Sequence, residues 1–351
     1  MLCRAVAEVS TVMCISVKGA GLFSATLMLA ACSTTTPPVT AIPAAQATSS
    51  RLSQAAGAAT TSNYLYVTDP KVNQLEVLDP SYDLVKTYTT GLATPVGDFV
   101  DGNGNLYVAN ENDCVHGNVV EYAHGATAPT FTYTASLSCP VYVGADKKGN
   151  VYAFDAGGGS TTLYRFKQQK NKAAKSWNTC NKTLYVSCSP EGLAMGANGW
   201  VYLTIWGLLP GGKPSGYWVV DEVVPKLNQQ GYVPGSFGPA GGTAIDKKKN
   251  LLAGAYPVGG CGKNEPTGNE TIVDLPYPYH GSDWCPFDLG YIGFTAVTGL
   301  ALSSDQTLLY VADYGGATLT VLSYPSGTFV TSLGSANGLT DPEGVAIGPA
   351  P

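Results

Sequence analysis

Gly104-Asn105-Leu106-Tyr107-Val108-Ala109-Asn110 is a tight turn followed by a short aromatic and β-branched run that ends on an amide. The chain writes five further variants of it. They are Tyr64-Leu65-Tyr66-Val67-Thr68-Asp69, Gly149-Asn150-Val151-Tyr152-Ala153-Phe154-Asp155, Gly199-Trp200-Val201-Tyr202-Leu203-Thr204, Asn250-Leu251-Leu252-Ala253-Gly254 and Leu308-Leu309-Tyr310-Val311-Ala312-Asp313. Leu65, Leu106, Val151, Val201, Leu251 and Leu309 lie 41, 45, 50, 50 and 58 residues apart. Those spacings match a four-stranded β-propeller blade with variable loops. One such unit cannot bury its apolar face alone, so the units must pack on one another.

A second phrase, a Pro-x-Gly entry into a strand of small residues, precedes the first. Its copies are Pro95-Val96-Gly97, Pro190-Glu191-Gly192-Leu193-Ala194, Gly242-Thr243-Ala244, Thr298-Gly299-Leu300-Ala301 and Pro342-Glu343-Gly344-Val345-Ala346. Gly and Ala suit an innermost strand close to a crowded axis, with the Leu-Tyr-Val strand next outward and a hairpin turn between. The chain enters on a second strand, Tyr64 to Asp69, and ends on an unpaired first strand, Gly344 to Gly348. The C-terminal strand is therefore predicted to complete the blade that Tyr64 opens, which removes two exposed edges. The count gives six blades; a seventh would need a unit hidden between Tyr256 and Thr298.

No stretch after Ser62 carries a helical period. Short Val/Tyr/Leu/Phe runs bounded by Gly, Pro, Asn and Asp recur instead, so the fold class is all-β. A net charge of −6 argues against nucleic acid and against electrostatic adhesion to anionic membranes.

The N-terminal region reads as targeting rather than fold. Arg4 and Lys18 flank an apolar stretch that stops at Leu29-Ala30-Ala31-Cys32. A basic flank, a short apolar run and small residues at the cut describe a secretory signal over residues 1–31. The run is shorter than the ~20 residues a transmembrane helix needs. Met13 to Ala31 is already a complete short signal, so the start is either Met1 or Met13. Leu-Ala-Ala-Cys resembles the lipobox of bacterial lipoproteins, which implies lipidation of Cys32 and a lipid-anchored place in the cell envelope. Ser33, rather than Asp, after that cysteine implies onward transit to the outer membrane. The alternative is an ordinary soluble secretion signal. Residues 32–62 then form a flexible Ser/Thr/Ala/Pro-rich tether with one charge, Arg51, and residues 63–351 form the propeller.

Six cysteines remain beyond Cys3, Cys14 and Cys32: Cys114, Cys139, Cys180, Cys188, Cys261 and Cys285. Sequence cannot choose among fifteen pairings, but short loops close most cheaply. Three local disulfides, each inside one repeat unit, are expected in an oxidising compartment. No Cys-x-x-Cys supports a zinc site.

Pro-x-Gly-Val-Ala with Gly-Asn-Leu-Tyr-Val-Ala-Asp resembles the NHL-repeat propellers and the related gluconolactonase/senescence-marker-protein family, over about Tyr64 to Pro349. The Gly117-Asn118-Val119-Val120-Glu121-Tyr122-Ala123 run is similar to units of bacterial envelope propellers. Propeller ligands sit at the mouth of the central channel, and the x of Pro-x-Gly is expected to face it. Around the ring that position reads Val96, Val141, Glu191, Gly241, Thr298 and Glu343. The resemblance implies a divalent metal, Ca²⁺ or another, held by Glu, Asn and Asp at such positions. Glu191 and Glu343 match the acidic place, but Val96, Val141 and Gly241 stand where Asn or Asp is expected. The other reading is two solvated rim carboxylates. Asp69, Asn110, Asp155 and Asp313 end the Leu-Tyr-Val strands and are expected to cap turns.

Enzyme signatures are sparse. Gly-x-Ser-x-Gly and His-Glu-x-x-His do not occur. Gly207 to Lys213 imitates a phosphate loop, but Pro214 replaces the required Ser or Thr. Two aromatic regions read as long loops able to carry recognition. One holds Trp200, Trp206, Tyr217 and Trp218; the other holds Tyr277, Tyr279, His280, Trp284 and Phe287. Two functional readings follow. The first is a binding or scaffold module for a protein, peptide or carbohydrate, contacting it through Thr298, Trp206, Trp218, Tyr279 and Trp284. The second is a metal-dependent, lactonase-like hydrolase using Glu191 and Glu343.

Overall fold

A computed structural model of the chain describes residues 63–157, 161–180, 187–197, 199–208, 214–215, 217–221, 230–234, 237–257, 270–275, 287–288 and 293–351. Cys32, Cys261, Cys285, Tyr279 and Trp284 lie outside the described residues, as does the side chain of Trp218.

The chain begins with β1 (Tyr64–Asp69), β2 (Gln74–Leu78) and β3 (Leu84–Tyr88). The next antiparallel sheet is β4 (Pro95–Val100), β5 (Leu106–Asn110), β6 (Asn118–Tyr122) and β7 (Phe131–Tyr133). It is followed by β8 (Pro140–Ala145), β9 (Val151–Asp155), β10 (Thr162–Phe166) and β11 (Ala173–Asn178). A three-stranded sheet holds β12 (Ser187–Met195), β13 (Val201–Leu208) and β14 (Pro214–Ser215), and a two-stranded one holds β15 (Tyr217–Asp221) and β16 (Gln230–Pro234). Four strands follow in β17 (Phe237–Ile245), β18 (Leu251–Pro257), β19 (Thr271–Leu275) and β20 (Phe287–Asp288). The last complete meander is β21 (Val297–Leu302), β22 (Leu308–Asp313), β23 (Thr318–Ser323) and β24 (Phe329–Leu333). β25 (Val345–Gly348) then returns to β1, with Tyr64 opposite Gly348 and Val67 opposite Val345.

The chain is thus an all-β propeller with five four-stranded sheets among the described residues, one of them closed by the C-terminal strand. The first strands stand side by side in a closed circuit, β4 beside β8, then β12, β17, β21, β25 and β4 again. β13 and β15 also lie side by side. In the first aromatic region, Trp206 is on β13 and Trp218 on β15, strands rather than a loop. Between Tyr256 and Thr298 the chain supplies β19 and β20 to the sheet of β17 and β18.

The core lies in wedges between neighbouring sheets, because both faces of each sheet are covered. Leu65 and Val67 of β1 pack with Tyr310, Leu319 and Val321 of the preceding sheet. The alternate residue Tyr66, with Leu75 and Val77, packs against Val108, Val120 and Tyr122 of the following one. The Leu-Tyr-Val phrase is apolar throughout for this reason. Its Leu and Val bury on one side and its Tyr on the other.

Gly97 and Gly344 let the innermost strands approach backbone to backbone. A methyl on Gly97 would overlap the Val141 carbonyl oxygen of β8, and one on Gly344 the Val96 carbonyl oxygen of β4. At the β25–β4 seam the Gly344 N–H donates to Thr68 Oγ1 (2.7 Å), whose hydroxyl donates to the Val96 carbonyl (2.5 Å). Thr204 and Thr243 make a similar hydroxyl contact between β13 and β17, at 2.7 Å.

Both described disulfides pair sequential cysteines, Cys114 with Cys139 and Cys180 with Cys188. Neither stays inside one sheet. Cys114 follows β5 and Cys139 precedes β8, while Cys180 follows β11 and Cys188 is on β12. Each therefore ties one sheet to the next.

Candidate functional site

The first strands all start at one end of the blades, here called the mouth face. The hairpin turns from first to second strand and from third to fourth lie at the opposite end, the turn face.

At the mouth face, the residues that end the second strands hold the entry loops. Asp155 Oδ2 accepts the N–H groups of Ser138 (2.8 Å) and Cys139 (3.0 Å), and its Oδ1 accepts that of Gly157 (2.7 Å). Asp69 Oδ2 accepts from Thr340 (2.6 Å) and Asp341 (3.0 Å), and Asp313 Oδ1 from Ala296 (2.8 Å). Asn110 accepts from Ala93 (3.2 Å). These polar ends are structural caps and do not form a binding ring. Ile205 and Ala255 occupy the same place on β13 and β18. There the strands run further, to Ser187 opposite Leu208 and Phe237 opposite Pro257. The β12–β13 and β17–β18 ladders are therefore longer at their mouth ends.

Glu191 lies on β12, half-buried. Burial pushes its carboxyl up to about 8; a Ser189 hydrogen bond opposes the shift and the charge of Glu270 adds to it. Trp206 of β13 stands opposite Ser189. Glu343 precedes β25 and is also half-buried, its N–H bonded to the Thr68 carbonyl at 3.0 Å. Burial raises it to about 8, reinforced by Glu111 and Asp341. Each carboxyl thus has its own acidic neighbours, and both stay mostly protonated at neutral pH. Thr298, on β21, is half-buried, with its hydroxyl 3.5 Å from the Ala312 carbonyl.

The donor set fits a hard cation poorly. Among the described residues, one group of three His, Cys, Asp or Glu donors lies within 4.8 Å: Glu111, Cys114 and Cys139. Its two sulfurs are joined as a disulfide and supply no thiolate. Val96, Val141 and Gly241 bring no side-chain oxygen to the mouth, and a cation at Glu191 or Glu343 would have to displace a proton.

Among the described residues, two carboxyls have both oxygens buried and unpartnered, and neither was evident from the motifs. Asp98 follows Gly97 on β4, where the other first strands carry Val143, Leu193, Thr243, Leu300 and Val345. Both its oxygens are buried without a hydrogen-bond partner, and burial holds its carboxyl well above the usual range. Glu76 of β2 is 1% exposed, with both oxygens unpartnered. Burial, then Asp69, raise it to about 8.

The architecture recurs in solved structures at low sequence identity. The periplasmic gluconolactonase of Pseudomonas aeruginosa is 12% identical with a TM-score of 0.53, over 83% of this chain and 100% of that one. A putative 6-phosphogluconolactonase from Bacteroides fragilis is 10% identical with a TM-score of 0.52, over 84% and 99%. Hydrazine synthase of Kuenenia stuttgartiensis is 13% identical with a TM-score of 0.55, over 81% and 86%. No family model matches the chain, and no curated protein matches it in sequence. The shared property is the β-propeller fold; at these identities it carries no activity across.

Proposed function

We propose that the chain is a lipid-anchored, six-bladed propeller of the bacterial cell envelope that binds a neutral, hydroxyl-rich ligand at its mouth. A carbohydrate is the ligand class that fits. The circuit of first strands supports the blade number, with β12 and β13 followed by β15 and β16 as the fourth blade in chain order. The Leu29-Ala30-Ala31-Cys32 motif and the charge-poor stretch after it support the anchor.

One observation carries the ligand class: the only carboxyls at the Pro-x-Gly places, Glu191 and Glu343, are held protonated by burial. A neutral carboxyl donates one hydrogen bond and accepts others, which matches a sugar hydroxyl and mismatches a metal ion. Trp206, across the hairpin from Ser189, offers an aromatic face of the kind sugars stack on.

Glycan-array binding of the mature protein, with calorimetry on the hits, tests this. Binding without turnover, weakened about tenfold or more by Glu191→Ala or Glu343→Ala, is expected from the loss of one such hydrogen bond. Rapid hydrolysis of a sugar lactone that either change abolishes would sink the binding reading in favour of a lactonase.

A further inference from the structure

We propose that the turn face of the propeller lies against a bilayer bearing anionic phospholipid headgroups, leaving the mouth turned away from it. This rests on the lipid-anchored reading above.

A net charge of −6 hides a segregation that the fold makes visible. The β8–β9 turn carries Lys147 and Lys148, and the β10–β11 turn carries Lys167, Lys170 and Lys172; all five are exposed. Against these five stands one aspartate, Asp146. Its Oδ1 is occupied by the N–H groups of Lys148 and Asn150, at 2.9 Å each. The β17–β18 turn adds three consecutive lysines, 247 to 249. All of these turns are on the turn face. Asp246 sits buried beside those three lysines, and the other described turns of this face carry Asp79, Asp83, Asp101 and Asp305, so the cationic cluster is the pair of turns of the β8–β11 sheet.

The mouth face has the opposite character. It presents Glu111, Asp113 and Asp341 beside the neutral Glu343, and Lys71 is its one lysine or arginine among the described residues. The expectation that the protein avoids anionic membranes averaged over two unlike faces.

Two further observations orient the molecule. The chain enters the fold on the turn face, where Asn63 Oδ1 accepts the Ser304 N–H (3.3 Å) and Lys247 Nζ donates to the Ser304 carbonyl (3.0 Å). Sixty-two residues, including Cys32, precede that point. At the same end, β3 and β24 each begin with two exposed apolar residues. Leu84 is 45% and Val85 49% exposed, and Phe329 is 49% and Val330 46%. Lysines that meet phosphates, with apolar side chains at the rim, suit a bilayer surface.

Vesicle co-sedimentation of the full chain carrying Cys32→Ser tests the proposal, with phosphatidylcholine vesicles alone or doped with phosphatidylglycerol. Binding to the anionic vesicles is expected, and about a hundredfold weakening by Lys147→Glu, Lys148→Glu, Lys170→Glu and Lys172→Glu combined. High salt should weaken it as well. Neutralising the same four lysines to Gln should give an intermediate loss and serves if the reversed protein does not fold. The N-terminal apolar stretch is common to all these proteins and cancels. Equal binding to both vesicle types, or binding that ignores the lysine changes, would overturn the proposal. Failure of the anchor reading shows separately, as absence of labelled palmitate on the unaltered protein in cells.

Discussion

Replacing Gly344 with Ala probes the closure of the ring. A methyl there would overlap the Val96 carbonyl oxygen and sit 2.8 Å from both Thr68 Oγ1 and Asp98 Oδ1. The carbonyl belongs to the β4 backbone and cannot rotate away, so β25 and β4 must part. Separation breaks the one of the two Thr68 hydrogen bonds that crosses to β4, from its hydroxyl to the Val96 carbonyl, at about 1 kcal/mol. Residual overpacking adds about 1–3 kcal/mol. A total of about 2–4 kcal/mol lowers Tm by about 5–10 °C in a domain of this size. Gly102→Ala is the control, since a methyl there meets nothing within 4 Å; it should change stability by less than about 0.5 kcal/mol. Scanning calorimetry with urea titration measures both. If Gly344→Ala melts with Gly102→Ala, the tight backbone seam is not what holds the ring shut.

Other expectations concern the caps, the buried acids and the disulfides. Asp155→Ala removes three hydrogen bonds to a carboxylate and should lose about 3–5 kcal/mol in urea titration, with Asp155→Asn recovering part. Glu76, Glu191 and Glu343 keep their protons to about 8 in the fold, whereas in the unfolded chain they ionise near 4.5. Stability is therefore full below that value and falls as pH rises towards 8. Tm should drop by several degrees between pH 5 and pH 8.5, and a rise across that window would contradict the assignment. Glu76→Met, which replaces two unpartnered oxygens, should gain about 1–3 kcal/mol at pH 8.5. Ser pairs in place of Cys114–Cys139 and Cys180–Cys188, which span 25 and 8 residues, should destabilise by about 3.5 and 2.5 kcal/mol. Thermal melts of the two variants give the order.

The fold was legible because the phrase that repeats is the one that folds. Leu106-Tyr107-Val108 and its relatives are second strands, and Gly344 to Gly348 closes the ring as its unpaired character required. The site was harder to see for a physical reason. In a propeller both faces of a strand are buried, so polar alternation no longer marks exposure; Glu76 looks like a surface residue of Gln74-Leu75-Glu76-Val77-Leu78 and lies in the core. Asp98 could have been found by setting the first strands side by side, since at the position after the glycine it alone is acidic. The opposed charges of the two faces are invisible in a net charge, since Lys147 and Glu111 meet their faces only through the up-and-down run of the strands.

Calorimetric titration of the mature protein with Ca²⁺, Mn²⁺ and Zn²⁺ near neutral pH tests most directly whether the mouth is a neutral binding site. Protonated Glu191 and Glu343, with Val96, Val141 and Gly241 beside them, predict no heat above dilution for any of the three ions. A stoichiometric heat that disappears in Glu191→Gln or Glu343→Gln would contradict the account and make the mouth a metal centre.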